Sequence, residues 1–133
     1  MLSEVHTEIF EAVAAFVAAN SLTAAWPNVH YTPGTTPYIE PFILFTATAF
    51  AGMNTEQQRG MLQIDVNYRD GTGLVVPMGM VDLLVAAFPR GHRIALPTSG
   101  KCIEFMRTGY ASPSLVDGGW VKIPVNFEFR ITF

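Results

Sequence analysis

The chain has 133 residues, of which 50% are hydrophobic and 14% charged, and its formal net charge is −3. Its eight Lys and Arg residues form no run, which disfavours tight nucleic-acid binding because phosphate contacts require clustered cations. The N-terminus lacks the pattern of a signal peptide, and no window reaches about 18 uninterrupted apolar residues, so we expect a soluble, intracellular protein that does not enter a membrane.

The first predicted elements are a helix and a strand. Apolar residues recur at helical spacing over residues 4–20, which predicts the helix. Ser3 is its expected N-cap, because a serine hydroxyl can accept a hydrogen bond from an early backbone amide. The run over residues 38–50 is apolar on both parities and predicts a central strand. Proline cannot donate a ladder hydrogen bond, so Pro41 should lie at the start of that strand or at a bulge.

A hairpin with a long loop is predicted next. Residues 51–60 are mostly polar, which is typical of a mobile loop between two strands. Residues 61–69 alternate, with apolar side chains from Leu62 to Tyr68 inward and polar ones, including Asp65, outward. This strand should pair antiparallel with the one before the loop.

The second half of the chain is predicted to contain a helix and two short strands. Residues 74–88 predict the helix, provided that Pro77 lies in its first turn, where a missing N–H is tolerated. The short strands are predicted at residues 93–96 and 101–106. Residues 109–119 are rich in Ser, Pro and Gly and are therefore predicted to form a loop.

The last segment shows the clearest pattern in the chain. Residues 120–133 place an apolar side chain at every odd position, which is the period of a strand with one buried face. Phe127, Phe129 and Ile131 should share that face, so this strand should reach from the sheet edge into the core. The elements together predict a single self-contained domain, residues 1–133, of α+β class, with two helices packed on an antiparallel or mixed sheet.

The surface has little charge for its size. A chain of this length should expose about 7,000 Å² when folded, and its eight basic and 11 acidic residues must solubilise that area. Monomers rarely expose large apolar patches, so we expect other subunits to cover part of this surface. An apolar, poorly soluble domain is the alternative.

The sequence indicates no metal or cofactor site. His6, His30 and His92 are far apart and lack the paired spacing of metal ligands. Cys102 is the single cysteine, so there is no disulfide framework. Free cysteines are usually buried, and we expect the Cys102 thiol to be buried in a strand and unreactive.

The sequence also contains no recognisable catalytic motif. Ser99, Ser112 and Ser114 lie among Pro and Gly residues, where serine commonly forms turns, and no nucleophile elbow surrounds them. The candidate acid–base carboxylates occupy outward parities or helix faces, where solvated side chains are expected; they are Glu40, Asp65, Asp82, Glu104 and Glu128. We therefore expect no catalytic residues and a protein that is not an enzyme.

Several short motifs follow one another in a fixed order between residues 26 and 89. They are Trp26-Pro27-Asn28 with Tyr31-Thr32-Pro33, Tyr38-Ile39-Glu40-Pro41-Phe42, Gly60-Met61-Leu62-Gln63-Ile64-Asp65-Val66, Asp70-Gly71-Thr72-Gly73 and Ala87-Phe88-Pro89. In this order, and in a chain of this length, they resemble the small tail terminator, or tail completion, proteins of long-tailed bacteriophages. The resemblance covers residues 3–88 by sequence and the remainder by topology.

The resemblance implies a structural subunit of the virion. Members of that family form a hexameric ring at the head-proximal end of the tail tube, stop tube polymerisation and present a surface to the head connector. The implied partners are further copies of the chain, the tail tube protein and the head–tail connector protein. The implied location is the virion tail, with the host cytoplasm during assembly. DNA would pass through the ring without tight binding, which suits a chain without basic runs.

Within this interpretation the predicted polar loop is the candidate element that contacts the tube or lines the lumen. Its candidate residues are Gly52, Asn54, Glu56, Gln57, Gln58 and Arg59. A surface loop without such a role is the alternative. Another head–tail joining or head-completion subunit remains open, as does a small-ligand-binding domain or enzyme, which would need a pocket with convergent polar groups.

Overall fold

A computed structural model describes residues 2–27, 29, 31, 32, 34, 36–46, 49–52, 55–71 and 73–132. Within these residues the chain forms two helices and eight strands. The helices are α1 (Leu2–Ala19) and α2 (Val75–Ala87). The strands are β1 (Tyr38–Phe45), β2 (Ala49–Gly52), β3 (Thr55–Arg69), β4 (Arg93–Leu96), β5 (Lys101–Phe105), β6 (Tyr110–Ala111), β7 (Leu115–Asp117) and β8 (Trp120–Thr132).

The strands form one sheet with the order β1-β3-β8-β5-β4. β2 pairs with β3, whereas β6 and β7 pair with β8, and every pair of named strands is antiparallel. Buried residues of both helices share one core with one face of this sheet, which we call the inner face. The opposite face is the outer face. The predicted α+β class is confirmed, and the sheet is antiparallel rather than mixed.

β8 lies in the middle of the sheet although it is the last strand in the chain. From residue 123 onward its inner-face side chains are at most 2% exposed; they are Ile123, Val125, Phe127, Phe129 and Ile131. They share the core with Val5 and Ile9 of α1 and Leu84 of α2. The predicted parity of this strand is therefore confirmed, while Phe133 lies outside the described residues.

The N-terminal helix begins earlier than predicted. α1 already includes Leu2, so Ser3 lies inside the helix, and the prediction of Ser3 as N-cap is wrong. The backbone carbonyl of Ser3 accepts a hydrogen bond from the Thr7 hydroxyl at 3.0 Å. Burial of Val5, Ile9 and Val13 against the sheet stabilises the helix, because tertiary packing of one apolar face outweighs the contribution of a cap.

The predicted central strand over residues 38–50 is two strands, and β1 is at one end of the strand order, so that prediction is wrong in extent and in position. β1 ends at Phe45, after which the Thr46 N–H donates to the Arg59 carbonyl, and β2 begins at Ala49. Pro41 lies inside β1 rather than at its start. The Ile39 N–H donates to the Thr23 carbonyl, away from β3, and Pro41 shares that parity. Its missing N–H therefore costs no bond to β3.

The described residues of the polar segment 51–60 belong to β2 and β3, so the prediction of a mobile loop is wrong for them. Residues from Thr55 onward belong to β3, and β2 pairs with them as a hairpin. Gln57 and Gln58 are only 5% and 9% exposed. The Gln58 amide donates to the carbonyls of Thr46 and Arg59, at 2.6 and 2.9 Å, which allows a polar side chain to be buried.

The predicted loop over residues 109–119 contains two short strands, so it is not irregular throughout. β6 and β7 both pair with β8. The β7–β8 connection is the pair Gly118-Gly119, with φ angles of 59° and 83°. Two consecutive residues with positive φ form the tight turn that joins antiparallel strands, and glycine adopts this conformation without steric cost.

The remaining predictions have mixed outcomes. α2 carries Pro77 in its first turn, as predicted. Cys102 lies in β5 as predicted, but the residue is partly exposed, so full burial is wrong. Its side chain is on the parity of the outer face, opposite to the buried Ile103 and Phe105, which explains the exposure.

Candidate assembly surfaces

The hairpin of β2 and β3 extends beyond the main sheet. Pairing of β3 with β8 begins at Gln57, opposite Thr132, and pairing with β1 ends at Gly60. Among the described residues, positions 55 and 56 therefore pair only with β2. We call residues 49–52 with 55–57 the arm. A hairpin that leaves its sheet in this way has backbone edges that can pair with another molecule.

The structure describes five of the six predicted contact residues, and two of these five are buried. Gly52 and Glu56 lie in the arm, and Arg59 is exposed just beyond its base. Gln57 and Gln58 are buried and hold the base of the arm through hydrogen bonds. Asn54 lies outside the described residues. Of the predicted contact residues whose burial the structure describes, Arg59 is exposed, whereas Gln57 and Gln58 are buried.

A polar cluster lies buried on the outer face. Asp65 and Asn67, predicted to point outward into solvent, are 4% and 1% exposed. The Asn67 amide donates to Glu40 Oε1 at 3.2 Å. Lys122 Nζ lies 3.7 Å from Glu40 Oε1 and 3.9 Å from Asp65 Oδ2. The prediction of solvated carboxylates is therefore wrong for Asp65, which helps to join β1, β3 and β8.

A row of charged side chains crosses four strands of the outer face. In the strand register Arg93 is opposite Glu104, Glu104 is opposite Arg130, and Arg130 is opposite Arg59. Glu104 accepts from Arg93 Nη2 at 2.9 Å and from Arg130 Nη2 at 2.8 Å. Arg59 donates to the neutral Gln57 amide oxygen. One carboxylate thus serves two guanidinium groups, with a third cation beside them.

The Glu104 carboxyl is held in its ionised form. The hydrogen bond from Arg130 is the main reason why the pKa of Glu104 lies below its ordinary value, and Arg93 lowers it further. Because the folded-state pKa is lowered, the resulting stabilisation is present above the ordinary carboxyl pKa and is lost as pH falls through the lowered one.

This assignment predicts a titration change. Replacing Arg130 with glutamine should raise the Glu104 pKa, measured from the pH dependence of its side-chain carboxyl NMR shift. The matched control is Arg107→Gln, because Arg107 pairs with Glu128 at 3.4 Å and not with Glu104. An unchanged Glu104 titration in the Arg130 variant would contradict the assignment.

α2 exposes apolar side chains on its solvent side. Val75, at 88% exposure, is the most exposed of these large residues; the others are Val76, Met78 and Leu83, and Leu74, directly before the helix, is exposed as well. Leu74 and Met78 also line a hollow of about 380 Å³ with residues 111–114. A helix that is apolar on nearly all sides is typical of a helix covered by another molecule.

Histidines and a serine that were considered above, and not predicted to be ligands or nucleophiles, have structural contacts. The His6 ring lies 5.6 Å from that of Phe10, and the His92 ring lies 6.0 Å from that of Phe105. The hydroxyl of Ser112 accepts from Asn126 at 2.8 Å. Within the described part of the chain no three His, Cys, Asp or Glu side chains converge as metal ligands. His30 lies outside that part.

Of the two helices that the structure describes, neither is long and apolar enough to cross a membrane. The features of the chain are those of a small α+β subunit whose surface combines an extended hairpin, an exposed apolar helix and a charged sheet face. Such surfaces are typical of proteins that act by association.

Comparison with known proteins identifies the family. The family model of the phage tail terminator protein matches residues 5–129, and the chain belongs to this family. One solved structure is similar over 100% of this chain and 96% of its own, with a TM-score of 0.81 and 19% sequence identity, which establishes a shared fold. Among curated proteins no match is found. The chain therefore has a structural role in a phage tail and is located in the virion tail.

Proposed function

We propose that this protein forms a closed ring, hexameric by its family resemblance, at the head-proximal end of the tail tube. There it ends tube polymerisation and joins the tail to the head connector, and it is present in the host cytoplasm during assembly. The family match over residues 5–129 carries the proposal. As a structural subunit it needs no catalytic residue or cofactor, and DNA passes through the ring without tight binding.

The exposed apolar surface supports an assembled state. The subunit exposes 7308 Å² and carries only 19 formal charges, eight basic and 11 acidic. Val75 and Val76 on α2 are 88% and 58% exposed, and Leu115 and Val116 on β7 are 57% and 69% exposed. Covering such residues removes apolar area from water, which contributes about 25 cal/mol per Å². A ring bound between tube and connector provides this cover.

The arm is the proposed contact with the tube. It leaves the main sheet, and its base is fixed by the buried amide of Gln58, so it can be held in a defined direction. Arg59 is exposed beside that base and contributes a positive charge to the contact. Gln57 and Gln58 act by positioning the arm.

The experiment mixes the purified protein with polymerising tail-tube subunits and measures tube lengths by electron microscopy. We expect tubes that carry a cap at one end and stop growing. Arg59→Glu should reduce capping at least about tenfold, because a charge reversal at a contact commonly costs more than 1.4 kcal/mol. The subunit should remain folded, since Arg59 is exposed.

Arg69→Glu is the matched control, because Arg69 is an exposed residue at the other end of the same strand. It makes the same change of charge away from the arm and should leave capping intact. Tubes that grow without limit in the presence of the wild-type protein would contradict the proposed function. Equal capping by the two variants would contradict the contact assigned to the arm.

A further inference from the structure

The two layers of the molecule carry opposite charge. The first 58 residues contain no Lys or Arg, and α2 contains none either. The helix layer is therefore purely acidic, with Glu4, Glu8 and Glu11 on α1 and Asp82 on α2. The sheet separates this layer from the arginines of the outer face, so the two sets of charge cannot neutralise each other within one subunit.

Half of the eight cations gather at one end of the outer face. We call this set the arginine face; its members are Arg90, Arg93, Arg107 and Arg130, with the carboxylates Glu104 and Glu128. Arg90 and Arg130 line one hollow together with Glu104. Four cations against two carboxylates leave an excess of positive charge, and the side chain of Arg93 is 68% exposed.

Each charged surface adjoins an apolar hollow. Beside α1 a groove of about 400 Å³ is lined by Phe10, Ala14, Trp26 and Val29, with Glu11 on its wall. Beside the arginine face a hollow of about 560 Å³ is lined by Leu44, Met61, Met106 and Tyr110. We call Glu8, Glu11 and the first groove the acidic face. Each face thus combines charge of one sign with apolar area, and a bound neighbour would remove that area from water.

We propose that neighbouring copies of this chain associate through these two faces, with the acidic face of one copy bound to the arginine face of the next. The inference rests on the proposed ring and assigns its subunit contact. Because the two surfaces differ, the contact is head-to-tail, and a head-to-tail contact closes into a ring when its rotation divides the circle. Two copies facing each other symmetrically would juxtapose like charges.

A second copy fits the arginine face better than a nucleic acid does. Glu104 and Glu128 neutralise part of the positive charge of the arginine face, and the remaining excess is small for a surface that must release counterions from several phosphate groups. The guanidinium groups that Glu104 and Glu128 do not neutralise are available to carboxylates of a second copy. The helix layer supplies such carboxylates in every copy.

The test uses two double variants that reverse one face each. Arg90→Glu with Arg93→Glu makes the arginine face acidic, and both residues are exposed. Glu8→Arg with Glu11→Arg makes the acidic face basic. Either variant alone places like charges across every contact, so each should weaken self-association at least about 100-fold. Sedimentation velocity over a concentration series measures the effect, in solution and with tubes present.

Mixing the two variants should restore assembly. The unchanged acidic face of the first variant meets the unchanged arginine face of the second. The face that is basic in the second variant also meets the face that is acidic in the first, so opposite charges again lie across the contact. We therefore expect the mixture to associate within about tenfold of the wild type, and both native and mixed assemblies to weaken as salt screens the charges. A merely structural effect of the substitutions would not be cured by mixing.

Asp70→Arg and Arg69→Glu are the matched controls, since both residues are exposed and lie outside the two faces. If a reversal fails to fold, as judged by circular dichroism, Glu8→Gln with Glu11→Gln takes its place and should still weaken association.

A wild type that stays monomeric in solution and on tubes would overturn the inference. A mixture of the two variants that does not recover assembly would also overturn it. So would the finding that reversal of the arginine face abolishes DNA binding and leaves self-association unchanged. Rings that assemble but do not stop tube growth would contradict only the proposed function.

Discussion

Replacing Phe129 with alanine should lower the free energy of unfolding by about 3 to 5 kcal/mol, as truncation of a buried phenylalanine does. The side chain is fully buried at the centre of the sheet. Its ring packs edge to face against Phe45 at 6.2 Å and Phe105 at 6.4 Å. Alanine would lose the burial and both ring contacts and leave a cavity between the sheet and the helices.

Urea denaturation followed by circular dichroism measures this loss. Tyr110→Ala is the control, because Tyr110 is an exposed aromatic residue of the short strand β6, and its truncation should change stability by less than about 1 kcal/mol. A Phe129 variant that loses no more than this control would show that Phe129 contributes little to the core.

Replacing Gly60 with alanine should lower the free energy of unfolding by about 2 to 3 kcal/mol, the cost typical of overpacking. A Cβ atom at this position would lie 2.6 Å from Phe129 Cζ and 2.9 Å from the backbone oxygen of Leu44. The oxygen belongs to β1, which is paired with β3, so it cannot withdraw without breaking ladder bonds. The strand therefore needs glycine opposite Phe129.

The same denaturation experiment tests this prediction. Gly79→Ala is the matched control, because a Cβ at Gly79 in α2 would meet no atom within 4 Å, and the substitution should be neutral or stabilising since alanine favours a helix. Because a Cβ atom at position 60 would meet the Phe129 ring, the Gly60→Ala substitution should cost less in the Phe129→Ala background. Equal costs in both backgrounds would show that the clash with the ring is not the cause.

Local patterns in the sequence were sufficient for the main elements. The alternation in β8 predicted which side chains face the core, because a strand with one buried face needs apolar residues at every second position. The position of Pro77 predicted the start of α2, because proline is tolerated in a first helical turn. The family motifs added the class of protein, which the match over residues 5–129 confirms.

Long-range pairing explains what the sequence did not predict. The polar residues 55–59 resemble a loop, and only the carbonyls of Thr46 and Arg59 make burial of Gln58 possible. The arginine face has no local signal in the sequence, because Arg93, Glu104 and Arg130 are brought together only by the register of β4, β5 and β8. The turn at Gly118-Gly119 was a usable signal, since two adjacent glycines commonly join paired strands.

The position of β8 has a consequence for how the subunit is made. A ribosome releases β1, β3, β4 and β5 before the strand that lies between β3 and β5. Until β8 emerges, β3 and β5 each keep an unpaired edge, although both helices of the core have already been synthesised. Such long-range pairing slows folding and leaves edges that can join other chains. During synthesis the chain should therefore pass through a state in which β3 and β5 are not yet joined by β8. Slower synthesis before residue 120 would prolong the exposure of these two unpaired edges.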